Sequence, residues 1–237
     1  MPPNKQAGNM YGDIDSTWNL IKGSCLYKCS YCSIEAMRQR YNSDPVKLRL
    51  DEKELRITPK PGKYFIGSSL DMWHPDIPSD WIMKVLYRLR QLNYNYIFQS
   101  KNPESFLVWI DYFPTNTELC TTIETNRKYS QMGNAPDIVD RIEAIKKLGE
   151  MGFYTTITIE PIMDFDFDIF ARMLYEAKPH KIYIGADSQK SELKEPSKEK
   201  VKKLIKYLNF AKMNKKDIWD FEIVLKDNLM RLTNKGI

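Results

Sequence analysis

From about Lys63 to near its end the chain alternates short apolar runs with stretches of helical period. This rhythm of repeated βα units limits the fold more than any other feature. The candidate strands are Thr17 to Lys22, Tyr64 to Gly67, Tyr96 to Ser100, Glu118 to Glu124, Tyr154 to Glu160 and Lys181 to Gly185, with Phe221 to Leu225 as a candidate seventh. Most are continuously apolar or β-branched, the pattern of parallel strands covered on both faces. Between them, Trp81, Ile82, Val85, Leu86 and Leu89 follow Pro78 and Ser79. Ile138, Ile142, Ile145 and Leu148 follow Pro136 and Asp137, and Val201, Leu204, Ile205 and Leu208 follow Ser197. Each set shares one helical face behind residues suited to starting a helix, and reads as a face packed on a sheet.

Consecutive βα units close as a barrel or spread as a doubly wound sheet, and strand count alone does not decide between them. In either case chemistry belongs at the C-terminal ends of the strands. The residues there are Gly67-Ser68-Ser69-Leu70-Asp71, Ser100-Lys101, Glu124, Glu160-Pro161 and Gly185-Ala186-Asp187. Polar and acidic groups thus gather on one rim.

With 42% hydrophobic and 28% charged residues the chain is too apolar for general disorder. No apolar run approaches the roughly 20 residues of a membrane-spanning helix, and the opening MPPNKQAGNMYGDID lacks the apolar centre of a signal peptide. The expectation is a cytoplasmic chain with no membrane association. The net charge of +5, from 36 basic and 31 acidic residues, permits a polyanionic partner without demanding one. Ser188 to Lys216 holds ten lysines against three glutamates. Much of that segment lies on the polar side of the last amphipathic helix, so a solvated face is favoured over a nucleic-acid site.

Three of the four cysteines fall in one short stretch, Cys25-Leu-Tyr-Lys-Cys29-Ser-Tyr-Cys32. It lies directly after the first strand and before a helix expected to begin near Ser33. In a reducing compartment thiols clustered so tightly bind metal more often than they pair. Zinc and an iron-sulfur cluster are the two centres to weigh. A structural zinc site needs a fourth ligand, which only Cys120, His74, His180 or a distant carboxylate could supply. Cys120 lies in the apolar run Leu119 to Ile123, where a cysteine is usually a small buried hydrophobe. His74 and His180 read as turn residues, and Trp18 and Trp73 as packing aromatics. A cubane on three cysteines, by contrast, leaves one iron open to a small molecule.

The pattern C-x3-C-x-aromatic-C after the first strand of a repeated βα domain resembles the radical S-adenosylmethionine enzymes, with Tyr31 at the aromatic position. Thr17-Trp-Asn-Leu-Ile-Lys-Gly23, Phe65-Ile-Gly-Ser-Ser-Leu-Asp-Met-Trp-His-Pro-Asp-Ile-Pro78, Thr122-Ile-Glu124, Ile159-Glu-Pro161 and Tyr183-Ile-Gly185 are similar, in order, to a phage- and bacteria-associated branch related to spore photoproduct lyase. The resemblance implies an α/β fold, a partial (β/α) barrel of about six parallel strands with outer helices. It implies one domain over 1–237, with a short N-terminal extension at 1–16, the barrel over about 17–225 and a tail at 226–237.

The resemblance also implies a 4Fe-4S cluster on Cys25, Cys29 and Cys32, whose open iron is chelated by S-adenosyl-L-methionine. Reductive cleavage then yields methionine and a 5′-deoxyadenosyl radical that abstracts hydrogen from a substrate. By position, Tyr31 contacts adenine, and Gly67, Ser68 and Ser69 receive the methionine ammonium group, where many relatives have Gly-Gly-Glu. Asp71 is the candidate for the missing negative charge. Thr122 and Glu124 match the region that meets the ribose hydroxyls, and Glu160 and Asp187 would contact cofactor or substrate. For the acidic residues the competing reading is an ion pair with a lysine such as Lys101 or Lys226. The implied partners are an electron donor such as flavodoxin or ferredoxin and, on the slight basicity and the kinship with a repair enzyme, a nucleic acid or nucleotide. The rival function is a non-catalytic metal- or cluster-binding scaffold that binds nucleic acid through the lysine-rich face.

Overall fold

The computed structural model of the chain describes residues 11–189, 191–213 and 219–233. The opening residues 1–10 of the expected extension, and Lys190, Lys215 and Lys216 of the lysine-rich segment, lie outside them. In chain order the first elements are β1 (Ser16–Trp18), β2 (Ile21–Lys22), α1 (Ser33–Arg40), β3 (Arg49–Leu50) and α2 (Glu52–Arg56). The repeating units follow: β4 (Lys63–Ile66), α3 (Ser79–Leu92), β5 (Asn95–Ser100), α4 (Glu104–Leu107), β6 (Thr117–Thr122), α5 (Ile138–Glu150), β7 (Tyr154–Ile159) and α6 (Phe167–Ala177). The last elements are β8 (Lys181–Ile184), α7 (Lys198–Met213), β9 (Glu222–Leu225) and α8 (Met230–Thr233).

Seven strands form one parallel sheet in the order β1-β4-β5-β6-β7-β8-β9, so each strand lies beside the next repeat. The expected seventh strand is present as β9. The first strand differs from the continuous Thr17 to Lys22 read from sequence. It breaks after Trp18, and β2 pairs antiparallel with β3 in a separate two-stranded ribbon. Two contacts account for the break: the Asn19 side chain turns to Ser68 and Ser69, and the Leu20 carbonyl accepts from the Asp51 amide at 2.8 Å.

Alternate residues of the sheet serve two clusters, as strand geometry requires. Tyr96, Phe98, Leu119, Ile157, Ile159, Ile182 and Ile184 join the main core, which the helices complete with Val85, Leu86, Ile145, Leu148, Leu174 and Leu204. Trp73 belongs to it too, its ring 5.4 Å from Phe98 and 4.9 Å from Phe106. Helix α6 buries Phe170, Ala171, Leu174 and Ala177 on the same side.

The opposite residues, Phe65, Ile97, Cys120 and Tyr183, form a smaller cluster around Tyr11, which is 1% exposed. Tyr11 lies in the segment read as an extension, yet it fills the inner face of the sheet. Its hydroxyl donates to Gln99 Oε1 at 2.8 Å and stands 3.2 Å from Thr158 Oγ1, while Gln99 Nε2 donates to Thr122 Oγ1 at 2.8 Å. Replacing Tyr11 with phenylalanine keeps the ring contacts and leaves Gln99 without its donor. The expected loss is about 1–2 kcal/mol of stability, read by denaturant melts against wild type, and an unchanged midpoint would remove this chain of hydrogen bonds from the account.

Candidate functional site

The cysteine loop runs from Ser24 to Cys32, between the β2–β3 ribbon and the first turn of α1. Cys29 is buried, and Cys25 and Cys32 are half-buried. Cys32 takes the N-cap position of α1 without using its side chain to cap it, so the thiol is left for other work. Lys28 adopts a left-handed conformation with φ 55°, which brings Cys29 round toward the body of the protein. A distant segment supports the loop. Ser30 N donates to the Gln131 carbonyl at 2.9 Å, Asn134 N to the Tyr27 carbonyl at 2.8 Å, and Cys29 Sγ to the Met132 carbonyl at 3.2 Å. Gly133, at φ +64°, passes so close that a Cβ there would meet the Tyr27 carbonyl oxygen at 2.0 Å.

All four cysteines are free. Burial pushes the Cys25 thiol up to about 11 and raises that of Cys29 as well, so both carry protons at neutral pH until a cationic centre displaces them. Among the described residues no three His, Cys, Asp or Glu side chains are gathered around a single-ion position. Cys120, fully buried on the inner face, lies among Tyr11, Phe65, Ile97 and Tyr183. His74 packs its ring 4.7 Å from Tyr27 and accepts from the Asp76 amide at 3.1 Å, a turn role. His180 likewise accepts from the Thr155 amide at 3.1 Å. The loop thus offers three soft thiols, while Cys120, His74 and His180 are engaged elsewhere. That set fits a cubane, whose ligands bind separate irons, better than one tetrahedral ion.

Beside the loop, Tyr31, Lys101, Glu124 and Arg141 form one buried polar cluster. The Tyr31 hydroxyl and Lys101 Nζ both donate to Glu124 Oε1, Lys101 Nζ lies 2.9 Å from the Tyr31 oxygen, and Arg141 donates to Glu124 Oε2 at 3.0 Å. Glu124 is 0% exposed and Arg141 1%. Burial alone would raise the Glu124 carboxyl, but Lys101 and Arg141 outweigh it and hold it below the usual range. The ion pair with Lys101 weighed against a cofactor role is present, and a ribose hydroxyl would have to share Oε1 with Tyr31 and Lys101. Thr122, on the same strand, accepts from Gln99 through its hydroxyl and from Arg141 through its carbonyl.

After β4, Gly67 takes φ +78° and turns the chain so that Ser68 and Ser69 lie half-buried at the rim. Asn19 fixes them: its Oδ1 accepts from Ser69 N at 3.0 Å and from Ser68 Oγ at 3.3 Å. The Asp71 carboxylate accepts from Lys101 N at 2.7 Å, Ser100 Oγ at 2.9 Å and Trp73 N at 3.1 Å. It ties the loops after β4 and β5 together.

The remaining rim acids lie elsewhere. Glu160 accepts from Lys226 at 2.5 Å and from Asn228 at 2.7 Å, the second pairing weighed in the sequence. Asp187 closes its own loop, accepting from Gln189 N at 2.9 Å and Ser191 N at 2.5 Å. Asn19, Gln99 and Arg141 are the site residues that sequence reasoning missed. Arg141 had a signal, since it sits on the apolar stripe of α5 between Ile138 and Ile142, where a buried cation needs a carboxylate partner.

The fold and the position of the cysteine loop define a class: a partial α/β barrel with a polar rim at the C-terminal ends of its strands. No protein-family model and no curated protein sequence matches the chain. Solved structures do. A single-site mutant of spore photoproduct lyase superposes with TM-score 0.64 at 12% identity, over 95% of this chain and 80% of that one. A double mutant of spore photoproduct lyase with bound AdoMet and dinucleoside spore photoproduct gives 0.56 at 14% identity, over 73% of this chain and 57% of that one. SuiB of Streptococcus suis bound to the precursor peptide SuiA gives 0.59 at 12% identity, over 90% of this chain and 49% of that one. At these identities the likeness is one of fold, and the chain spans about half the length of SuiB. No helix among the described residues is long and apolar enough to cross a membrane.

Proposed function

We propose that this chain is a radical S-adenosylmethionine enzyme, with Cys25, Cys29 and Cys32 as ligands of a 4Fe-4S cluster. The observation that supports the reading is three free thiols in one loop of a fold similar to that of an enzyme solved with AdoMet bound. When bound, the cluster and S-adenosylmethionine supply the electron and the 5′-deoxyadenosyl radical.

The protein's own residues bind and orient. Tyr31, clamped by Glu124 and Lys101, offers its backbone and ring edge to adenine. Ser68 and Ser69, held by Asn19, present hydroxyl and carbonyl oxygens to the methionine ammonium group, with Gly67 providing the turn. Thr122 would meet the ribose hydroxyls, and Glu124 would act there chiefly as a positioning residue, since its oxygens already hold Tyr31, Lys101 and Arg141. Glu160 and Asp187 border the far side of the rim, where a substrate would enter. Tyr11, hydrogen-bonded to Gln99, fills the inner face below. The two relatives hold unlike molecules, a dinucleoside spore photoproduct and a precursor peptide, so the proposal is one of cofactor chemistry.

Metal analysis separates this reading from a zinc scaffold. Protein purified and reconstituted without air is expected to be brown and to hold about four iron and four sulfide per chain. Colourless protein carrying one zinc would overturn it.

A further inference from the structure

Of the buried side-chain donors that find no partner among the described residues, one lies in the cysteine loop, the hydroxyl of Tyr27. Tyr27 stands between Cys25 and Cys29 and is 2% exposed. Its position is fixed. The carbonyl accepts from Asn134 N at 2.8 Å, and the ring packs 4.7 Å from that of His74, whose Nδ1 is held by the Asp76 amide. The hydroxyl therefore does not swing out to water, and a buried donor left in this way costs stability until something accepts from it.

The polar groups around it are engaged with one another. The Asp71 carboxylate, which lies near, accepts from Trp73 N, Ser100 Oγ and Lys101 N. Asn102 is also near, but its amide donates to Ser105 Oγ at 2.5 Å and to the Trp73 carbonyl at 3.5 Å, and no described residue is within bonding distance of the hydroxyl. A buried water would need two to four polar partners of its own, which these neighbours are poorly placed to spare. The remaining neighbour is Cys25, whose sulfur faces the amides of Asp71 and of Tyr27 itself. A thiol sulfur is a weak acceptor, whereas a thiolate or sulfide on iron carries the negative charge that a hydroxyl donor seeks.

We propose that the Tyr27 hydroxyl donates a hydrogen bond to a sulfur of the cluster on the Cys25 side of the loop, and that this bond raises the cluster's reduction potential. The inference rests on the proposed cluster. Reduction adds one negative charge to a centre enclosed by protein, so a donor to sulfur favours the reduced state over the oxidised one. The donor is left over in the free loop and is satisfied in the loaded one. A phenylalanine would pack on His74 equally well, so the hydroxyl is the part of this side chain that packing does not explain.

Tyr27→Phe keeps the ring and removes only the hydroxyl, and it is read in two ways. In cluster-free protein a denaturant melt should be unchanged or shifted toward higher stability, since no bond is lost. In reconstituted protein with wild-type iron and sulfide, a spectroelectrochemical titration without S-adenosylmethionine should favour the oxidised cluster about tenfold over wild type, a fall of about 59 mV for one electron. Tyr87→Phe, on the exposed side of α3, should match wild type in both. A cluster-free Tyr27→Phe protein less stable than wild type would show that the hydroxyl is already bonded, by water or by the chain, and would overturn the proposal with or without a cluster. An unchanged potential would overturn it too, as would a variant that melts as wild type yet assembles no cluster, since the hydroxyl would then serve assembly and not tuning. Wild-type protein that loads no cluster overturns the proposed function, and the tuning role falls with it, whereas a loaded wild type with an indifferent Tyr27→Phe sinks the tuning role alone.

Discussion

Gly133→Ala should prevent the proposed cluster from assembling while leaving the fold in place. The added Cβ would stand 2.0 Å from the Tyr27 carbonyl oxygen and 2.8 Å from the Lys28 carbonyl oxygen, and both are backbone atoms of the cysteine loop. Neither can yield without shifting the backbone between Cys25 and Cys29. Its φ of 64° with ψ of −138° is a backbone conformation that a side chain disfavours, which adds about 1–3 kcal/mol of strain. Gly152→Ala is the control, because its φ of +89° is also one that side chains rarely adopt but a Cβ there meets nothing within 4 Å. Both variants should melt a few degrees lower, by roughly 4–8 °C for a strain near 2 kcal/mol. Only Gly133→Ala should fall to background iron after reconstitution. Normal iron in that variant would show that the 129–134 segment does not set the loop.

Glu124→Leu should be among the most destabilising single changes. It leaves Arg141, 1% exposed, and the Lys101 ammonium without their shared carboxylate, at a cost of about 3–5 kcal/mol in a chemical melt. Glu124→Gln, which preserves shape, isolates the charge. The folded carboxyl is held below its usual range by Lys101 and Arg141 against the opposing effect of burial. Its contribution is therefore fully present above the unfolded value of ~4.3 and lost as pH falls through that value toward the folded one. Wild type should lose thermal stability below about pH 5, and Glu124→Gln should show a shallower acid limb. Identical limbs would mean that the pair contributes nothing.

The strands were legible to within a residue or two because their β-branched runs end at glycine, lysine or glutamate, where the local pattern changes. The split of the first strand was not. Thr17 to Lys22 reads as continuous, and it breaks because Ser68, Ser69 and Asp51, all far along the chain, engage Asn19 and Leu20. The cysteine loop was legible from spacing alone. Its support was not, since the contact from Cys29 to Met132 spans 103 residues and involves a backbone carbonyl that no side-chain pattern marks. Asp71 shows a further limit: the resemblance offers it as the missing negative charge, and no sequence pattern marks the amides of Trp73 and Lys101 that its oxygens accept from. Tyr11 lay in a polar opening segment, and only the inner face of the sheet gives it a partner.

The most direct measurement is product release by anaerobically reconstituted protein given S-adenosylmethionine and dithionite, with Cys29→Ala alongside. Wild type is expected to release 5′-deoxyadenosine and methionine in equal amounts, and Cys29→Ala to release neither above background. Wild type carrying its full iron and sulfide yet releasing no 5′-deoxyadenosine, or the variant matching it, would contradict the assignment.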